Sequence, residues 1–170
     1  DKLRYDRSFL AKLALSDDNV KQFYADIATE LLSYDKVKSR TRWSGVAFSF
    51  GRNTFARIAI VGKTLCVYLA VDPTDNQDGK YRARNVGDVK KYEKTPSMYK
   101  VKSEGALRNV IKLIGEIAER MGLTVKETLS EPVSAKDFPS DNFDNLVTRG
   151  LIRLLRHGTG KRVVVTDDET

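Results

Sequence analysis

The chain has 170 residues, 41% hydrophobic and 31% charged, with 30 Lys and Arg against 23 Asp and Glu for a net charge of +7. That is enough for one domain with an extension, and the apolar share supports a single core. No apolar run approaches the roughly 20 residues that cross a bilayer, and no signal-peptide pattern opens the chain, so membrane insertion is not expected.

Tyr5 to Leu15 alternates loosely through Phe9, Ala11, Leu13 and Leu15 and reads as a strand. Ser16, Asp17 and Asp18 then offer an N-cap and first-turn acids for a helix over 17–34. Val20, Phe23, Tyr24, Ile27, Ala28, Leu31 and Leu32 recur at helical spacing, a stripe wide enough to lie on a sheet. From Val37 to Trp43, Lys38, Arg40 and Arg42 alternate with Val37, Ser39, Thr41 and Trp43, which puts all three cations on one strand face. Val46, Phe48 and Phe50 repeat at period 2. Gly51-Arg52-Asn53 reads as a tight turn into Phe55–Val61, and Gly62-Lys63 as a two-residue hairpin loop into Thr64–Val71. Asp72-Pro73 ends that strand before a polar loop.

Residues 80–96 predict an irregular arm or short strand, and Met98–Lys102 a last strand. Ser103 can cap a second helix, 104–121, with Gly122 where a C′ glycine belongs. The order predicts an α+β fold: a curved antiparallel sheet of about five to six strands with two helices packed on one face. Residues 1–122 form this module. Residues 123–142, polar and containing Pro132 and Pro139, read as a linker, and 143–170 as a C-terminal helical extension. In that extension Phe143 to Leu155 is read as one amphipathic helix stopped by Gly158, with Lys161–Val165 as a lone strand before Asp167-Asp168-Glu169.

Charge is distributed unevenly. Residues 36–102 hold fifteen cations against five acids, a net +10, so the rest of the chain sums to −3. A basic sheet with an uncovered face suits a polyanion. Lys38, Arg40, Arg42 and Arg52 would contact phosphates. Tyr81, Arg82, Arg84 and Tyr92 interleave aromatics with cations, a composition suited to stacking on unpaired bases. The plainer alternative is that such cations keep an exposed edge from pairing and that the tyrosines belong to the core.

Motifs for chemistry are absent. Gly62-Lys63-Thr64 lacks the first glycine of a phosphate-binding loop, whose position is Arg57, and Gly158-Thr159-Gly160-Lys161 lacks the same frame. His157 is the only histidine, Cys66 falls mid-strand, and no cluster supports a metal. Asp72, Asp75 and Asp78 share a loop that fits no complete calcium-binding pattern. No cofactor and no enzymatic activity are expected. A lone cysteine excludes an internal disulfide framework and points to a cytoplasmic setting, and the opening Asp in place of Met suggests an excised piece of a longer protein.

With the elements placed, Leu31-Leu32-Ser33-Tyr34, Val37-Lys38-Ser39-Arg40, Trp43, Phe48, Gly51-Arg52, Gly62-Lys63-Thr64-Leu65, Tyr68-Leu69-Ala70 and Asp72-Pro73 resemble a module of uncharacterised bacterial proteins. That module often occurs in tandem in Gram-positive bacteria and gut anaerobes. Lys80-Tyr81, Val86–Asp88, Tyr92, Pro96 and Tyr99-Lys100-Val101-Lys102 continue the likeness, which spans about residues 4–122. More distantly, the helix–hairpins–helix plan is similar to the YjbR-like and TfoX N-terminal superfamily, a group often labelled DNA-binding. The resemblance implies the fold and a modular context, and no particular activity. The leading functional expectation is a non-catalytic binding or scaffolding module whose partner is a protein or a neighbouring domain. The alternative is nucleic-acid binding through the basic face.

Overall fold

A computed structural model of the chain describes residues 3–75, 79–128, 131–156 and 162–163. Asp78, His157, the Gly158–Lys161 run and the acidic end at 167–169 lie outside the described residues. Leu3–Arg7 is a strand (β1), but the chain then turns into a short helix, Phe9–Ala14 (α1). The Ser8 hydroxyl accepts from Ala11 N at 3.1 Å and caps it. The strand read across 5–15 is thus corrected after Arg7. The helix is buried on two sides, Phe9 and Leu13 in the main core and Ala11 and Ala14 in a second cluster, so its apolar residues mimic alternation.

The expected elements then follow. Asp17 caps the helix Asp18–Leu32 (α2), accepting from Val20 N at 2.9 Å. Four strands come next: Val37–Thr41 (β2), Val46–Phe50 (β3), Asn53–Val61 (β4) and Thr64–Leu69 (β5). The β3–β4 and β4–β5 hairpins close on Gly51-Arg52 and Gly62-Lys63, whose glycines sit at φ +61° and +62°. An arm carries the two-residue strand Arg84–Asn85 (β6) and a 3-10 turn at Lys90–Tyr92, and leads to Ser97–Val101 (β7). Ser103 caps the helix Glu104–Met121 (α3), which ends on Gly122 at φ +72°. These strands form one antiparallel sheet in the order β2-β3-β4-β5-β7-β6.

One face of that sheet is covered by α2 and α3. Val46, Phe48, Phe55, Ile58, Leu65, Val67 and Leu69 meet Ile27, Leu31, Val110, Ile114 and Ile117 in the main core. Fully burying each such side chain contributes about 1.5–3 kcal/mol, so this contact dominates the fold's stability.

Residues 123–142, read as a linker, lie along α2. Asp35 N donates to Thr124 O at 2.7 Å and Lys126 N to Ser33 O at 2.9 Å. Val133 N donates to Thr29 Oγ1, which donates back to Val133 O. Phe138 sets its ring edge-to-face on Tyr24 at 5.4 Å.

The C-terminal helix is shorter than expected. It runs Phe143–Thr148 (α4), and after Gly150, at φ +77°, the chain becomes the strand Ile152–Arg156 (β8). β8 pairs along β1 from Leu3↔Arg156 to Arg7↔Ile152, and Arg162–Val163 (β9) pairs on its other side. Leu151, Leu154 and Leu155 have helical spacing, but β1 offers them a whole edge of backbone hydrogen bonds that no local pattern reveals. This small sheet docks on the large one at Trp43. Phe9 N donates to Trp43 O at 2.7 Å, Trp43 Nε1 donates to Asp6 Oδ2 at 2.9 Å, and the Arg153 guanidinium lies 3.7 Å over the indole.

Candidate anion-binding face

Because strand side chains alternate, the register fixes what the second face of the large sheet carries. One transverse row runs Arg40↔Ala47↔Arg57↔Tyr68↔Met98↔Arg84 across all six strands. At about 4.8 Å per strand the row spans about 24 Å, with Arg57 about 10 Å from Arg40 and about 14 Å from Arg84. Lys38, opposite Ser49, lies on the same side, and so does Lys100, opposite Cys66. None of the six strands contains an acid. Among the described residues, none of these cations stands within ion-pair distance of a carboxylate.

The second face is not bare, contrary to the uncovered face the sequence predicts. Its centre holds Ala59, Cys66, Tyr68 and Met98, apolar groups that need covering, and the arm supplies Val86 and Tyr92. Tyr92 stacks on Tyr68 with ring centroids 3.9 Å apart and planes within 1°. Burial, reinforced by the neighbouring Tyr92 hydroxyl, pushes the Tyr68 phenol up.

The sequence-predicted residues therefore divide into groups. Lys38 and Arg40 are exposed and share the second face, and the exposed Arg42 follows just past the end of β2, where its N–H donates to Gly45 O at 2.7 Å. Arg52 is exposed in the β3–β4 turn, at the Val37–Phe50 end of the sheet and away from Arg42. Arg84 joins the face from β6, the opposite edge. Arg82 is exposed in the arm, donating to Gly79 O at 3.4 Å. The two tyrosines expected to stack on bases are engaged elsewhere. Tyr92 is committed to Tyr68, and Tyr81 packs against the helix-side core beside Gly105, where even a methyl group would collide with its hydroxyl. Tyr81 and Tyr92, each expected as a stacking surface for bases, thus lie on opposite sides of the sheet.

Arg57, Lys91, Lys100 and Ser44 complete the face, and the sequence does not single them out as site residues. Arg57 carried a signal, as the single charge within the apolar run Phe55–Val61. Lys91 carried none, because its place depends on the arm crossing the sheet. There it donates to Ser44 Oγ, and its ammonium is pushed down by burial and then by the Arg57 guanidinium.

The remaining motifs resolve simply. Gly62-Lys63-Thr64 is a hairpin turn with Val61 paired to Thr64. Asp72 spends an oxygen on Thr74 N and Oγ1, at 2.9 and 2.7 Å, and these bonds hold its carboxyl below the usual range. Burial pushes the Cys66 thiol up, which leaves little thiolate near neutrality. Among the described residues no group of His, Cys, Asp and Glu could hold a metal ion, and no helix is long and apolar enough to cross a membrane. Comparison with protein-family models, with curated proteins and with solved structures finds no match to this chain.

Proposed function

We propose that this α+β chain is a non-catalytic binding module that holds a polyanion, the phosphate backbone of a nucleic acid, across the second face of its large sheet. The observation that carries this reading is the row Arg40–Arg57–Arg84, flanked by Lys38, Arg42, Lys91 and Lys100, with no acid in any of the six strands. Cations gathered on one face without carboxylate partners repel one another, and a polyanion relieves that repulsion. With both tyrosines packed away, the contact is to phosphates and carries little base preference.

Fluorescence anisotropy with mixed single- and double-stranded oligonucleotides at several salt concentrations tests this. If five or six phosphates are engaged, log K falls with log salt at a slope of about −5, and Lys38→Glu/Arg40→Glu weakens binding and flattens the slope. Absence of binding at low salt refutes the reading.

One observation favours a protein partner as the second reading. β2 is an edge strand whose residues beyond Val37 are all exposed, which leaves its outer backbone groups open to strand addition. The proposed kinship with tandem bacterial modules suits either partner.

A further inference from the structure

Where the arm crosses the sheet it closes a notch against the β2–β3 turn. Arg42 lines it from that turn, Arg57 from the middle of β4 and Lys91 from the 3-10 turn, together with Ser44, Gly45 and Tyr92. Three cationic residues from three separate elements line it, and no acidic residue does. Lys91 is held in place by its bond to Ser44 Oγ and by the Tyr92 ring, 5.6 Å from its ammonium. Burial and then the Arg57 guanidinium disfavour the Lys91 charge.

We propose that this notch is a subsite for one phosphoryl oxyanion, gripped by Arg42, Arg57 and Lys91. Its space is about 20 Å³, room for one water-sized atom. A tetrahedral anion therefore enters with one oxygen first and keeps the others at the rim, within reach of Arg42. That is how the non-bridging oxygen of a phosphodiester or a terminal phosphate presents itself. Two arginines and a lysine lining one notch exceed what a single carboxylate charge balances and suit a phosphate. The inference rests on the face reading for a nucleic-acid source of that phosphate. A free phosphorylated small molecule has the same chemistry.

The test uses the whole chain. Thermal unfolding is followed in inorganic phosphate, pyrophosphate, acetate and chloride at matched ionic strength, for the native protein and for Arg57→Gln/Lys91→Met, with folding checked by circular dichroism. The native Tm should rise with phosphate or pyrophosphate concentration and not with acetate. The variant should match or exceed the native Tm in chloride, because a repulsion has gone, and should lose the phosphate increment. A native protein indifferent to phosphate, one stabilised equally by acetate, or a variant that keeps the increment overturns the proposal. Oligonucleotide binding separates this from the face reading. Loss of one phosphate contact in the variant should lower the salt slope by about 1. A failed phosphate response alongside binding that Lys38→Glu/Arg40→Glu abolishes sinks the notch and leaves the face. A phosphate response without oligonucleotide binding sinks the face and points to a free phosphorylated ligand.

Discussion

Trp43 is a side-chain clasp between the two sheets, and removing its side chain should loosen the smaller one. Its indole N–H donates to Asp6 of β1 and its ring lies under Arg153 of β8, residues that face each other across the β1–β8 pair. Trp43→Phe keeps a ring for the guanidinium and loses only the hydrogen bond. Asp6 has a further interaction and is not stranded, so the loss should be about 1 kcal/mol. Trp43→Ala also removes the cation–π contact, worth about 0.5–2 kcal/mol at a half-buried site. It further exposes part of the surface beneath the ring, for an expected total of about 3 kcal/mol. Urea unfolding followed by circular dichroism gives these values, since neither variant retains a tryptophan. The decisive readout is local. Amide exchange in Ile152–Arg156 should quicken in Trp43→Ala while exchange in β4 and β5 barely changes. Unchanged protection of β8, or a Trp43→Ala loss no larger than that of Trp43→Phe, would refute the clasp.

Four further outcomes are expected. Gly45→Ala would drive a methyl into the Ile58 carbonyl oxygen, a backbone atom with little room to retreat, and should cost about 1–3 kcal/mol in urea unfolding. Gly115→Ala, inside α3 with nothing within 4 Å, should instead stabilise by about 0.5–1 kcal/mol in the same measurement. Burial pushes the Tyr24 phenol up to about 12. The folded state therefore favours its neutral form, so the stability it contributes is intact below about pH 10 and lost as pH rises through 12, a change of about 2–3 kcal/mol. Tyr24→Phe should remove that part of the alkaline decline in unfolding midpoints measured from pH 9 to 12. Tyr92→Ala, which ends the stack on Tyr68, should cost about 0.5–1.5 kcal/mol beyond lost burial and speed amide exchange across 84–92. Tyr92→Phe should leave exchange there near native.

Most of the large sheet and its two helices could be read from the chain because their signals are local. Asp17 and Ser103 mark helix starts, Gly122 a helix end, and Gly51 and Gly62 the hairpins. Between them the apolar positions hold one period over enough residues to leave one face open. The cations of β2 were legible for the same reason, since alternation alone assigns Lys38 and Arg40 to one side. The reading failed where a partner distant in sequence chose between conformations that local pattern leaves nearly balanced. Phe9–Ala14 is helical because both its sides are buried. Ile152–Arg156 is a strand because β1 lies open beside it.

The candidate site divides along the same line. Sequence by itself determined that residues 36–102 are basic and that the strands among them carry no acid. Only the tertiary structure decided that Tyr92 caps Tyr68, that Tyr81 turns to the helix side, and that Arg42, Arg57 and Lys91 line one notch. Those placements follow from strand register and from the path of an irregular arm across the sheet. Both are set by contacts between residues tens of positions apart, to which periodicity and turn chemistry are blind.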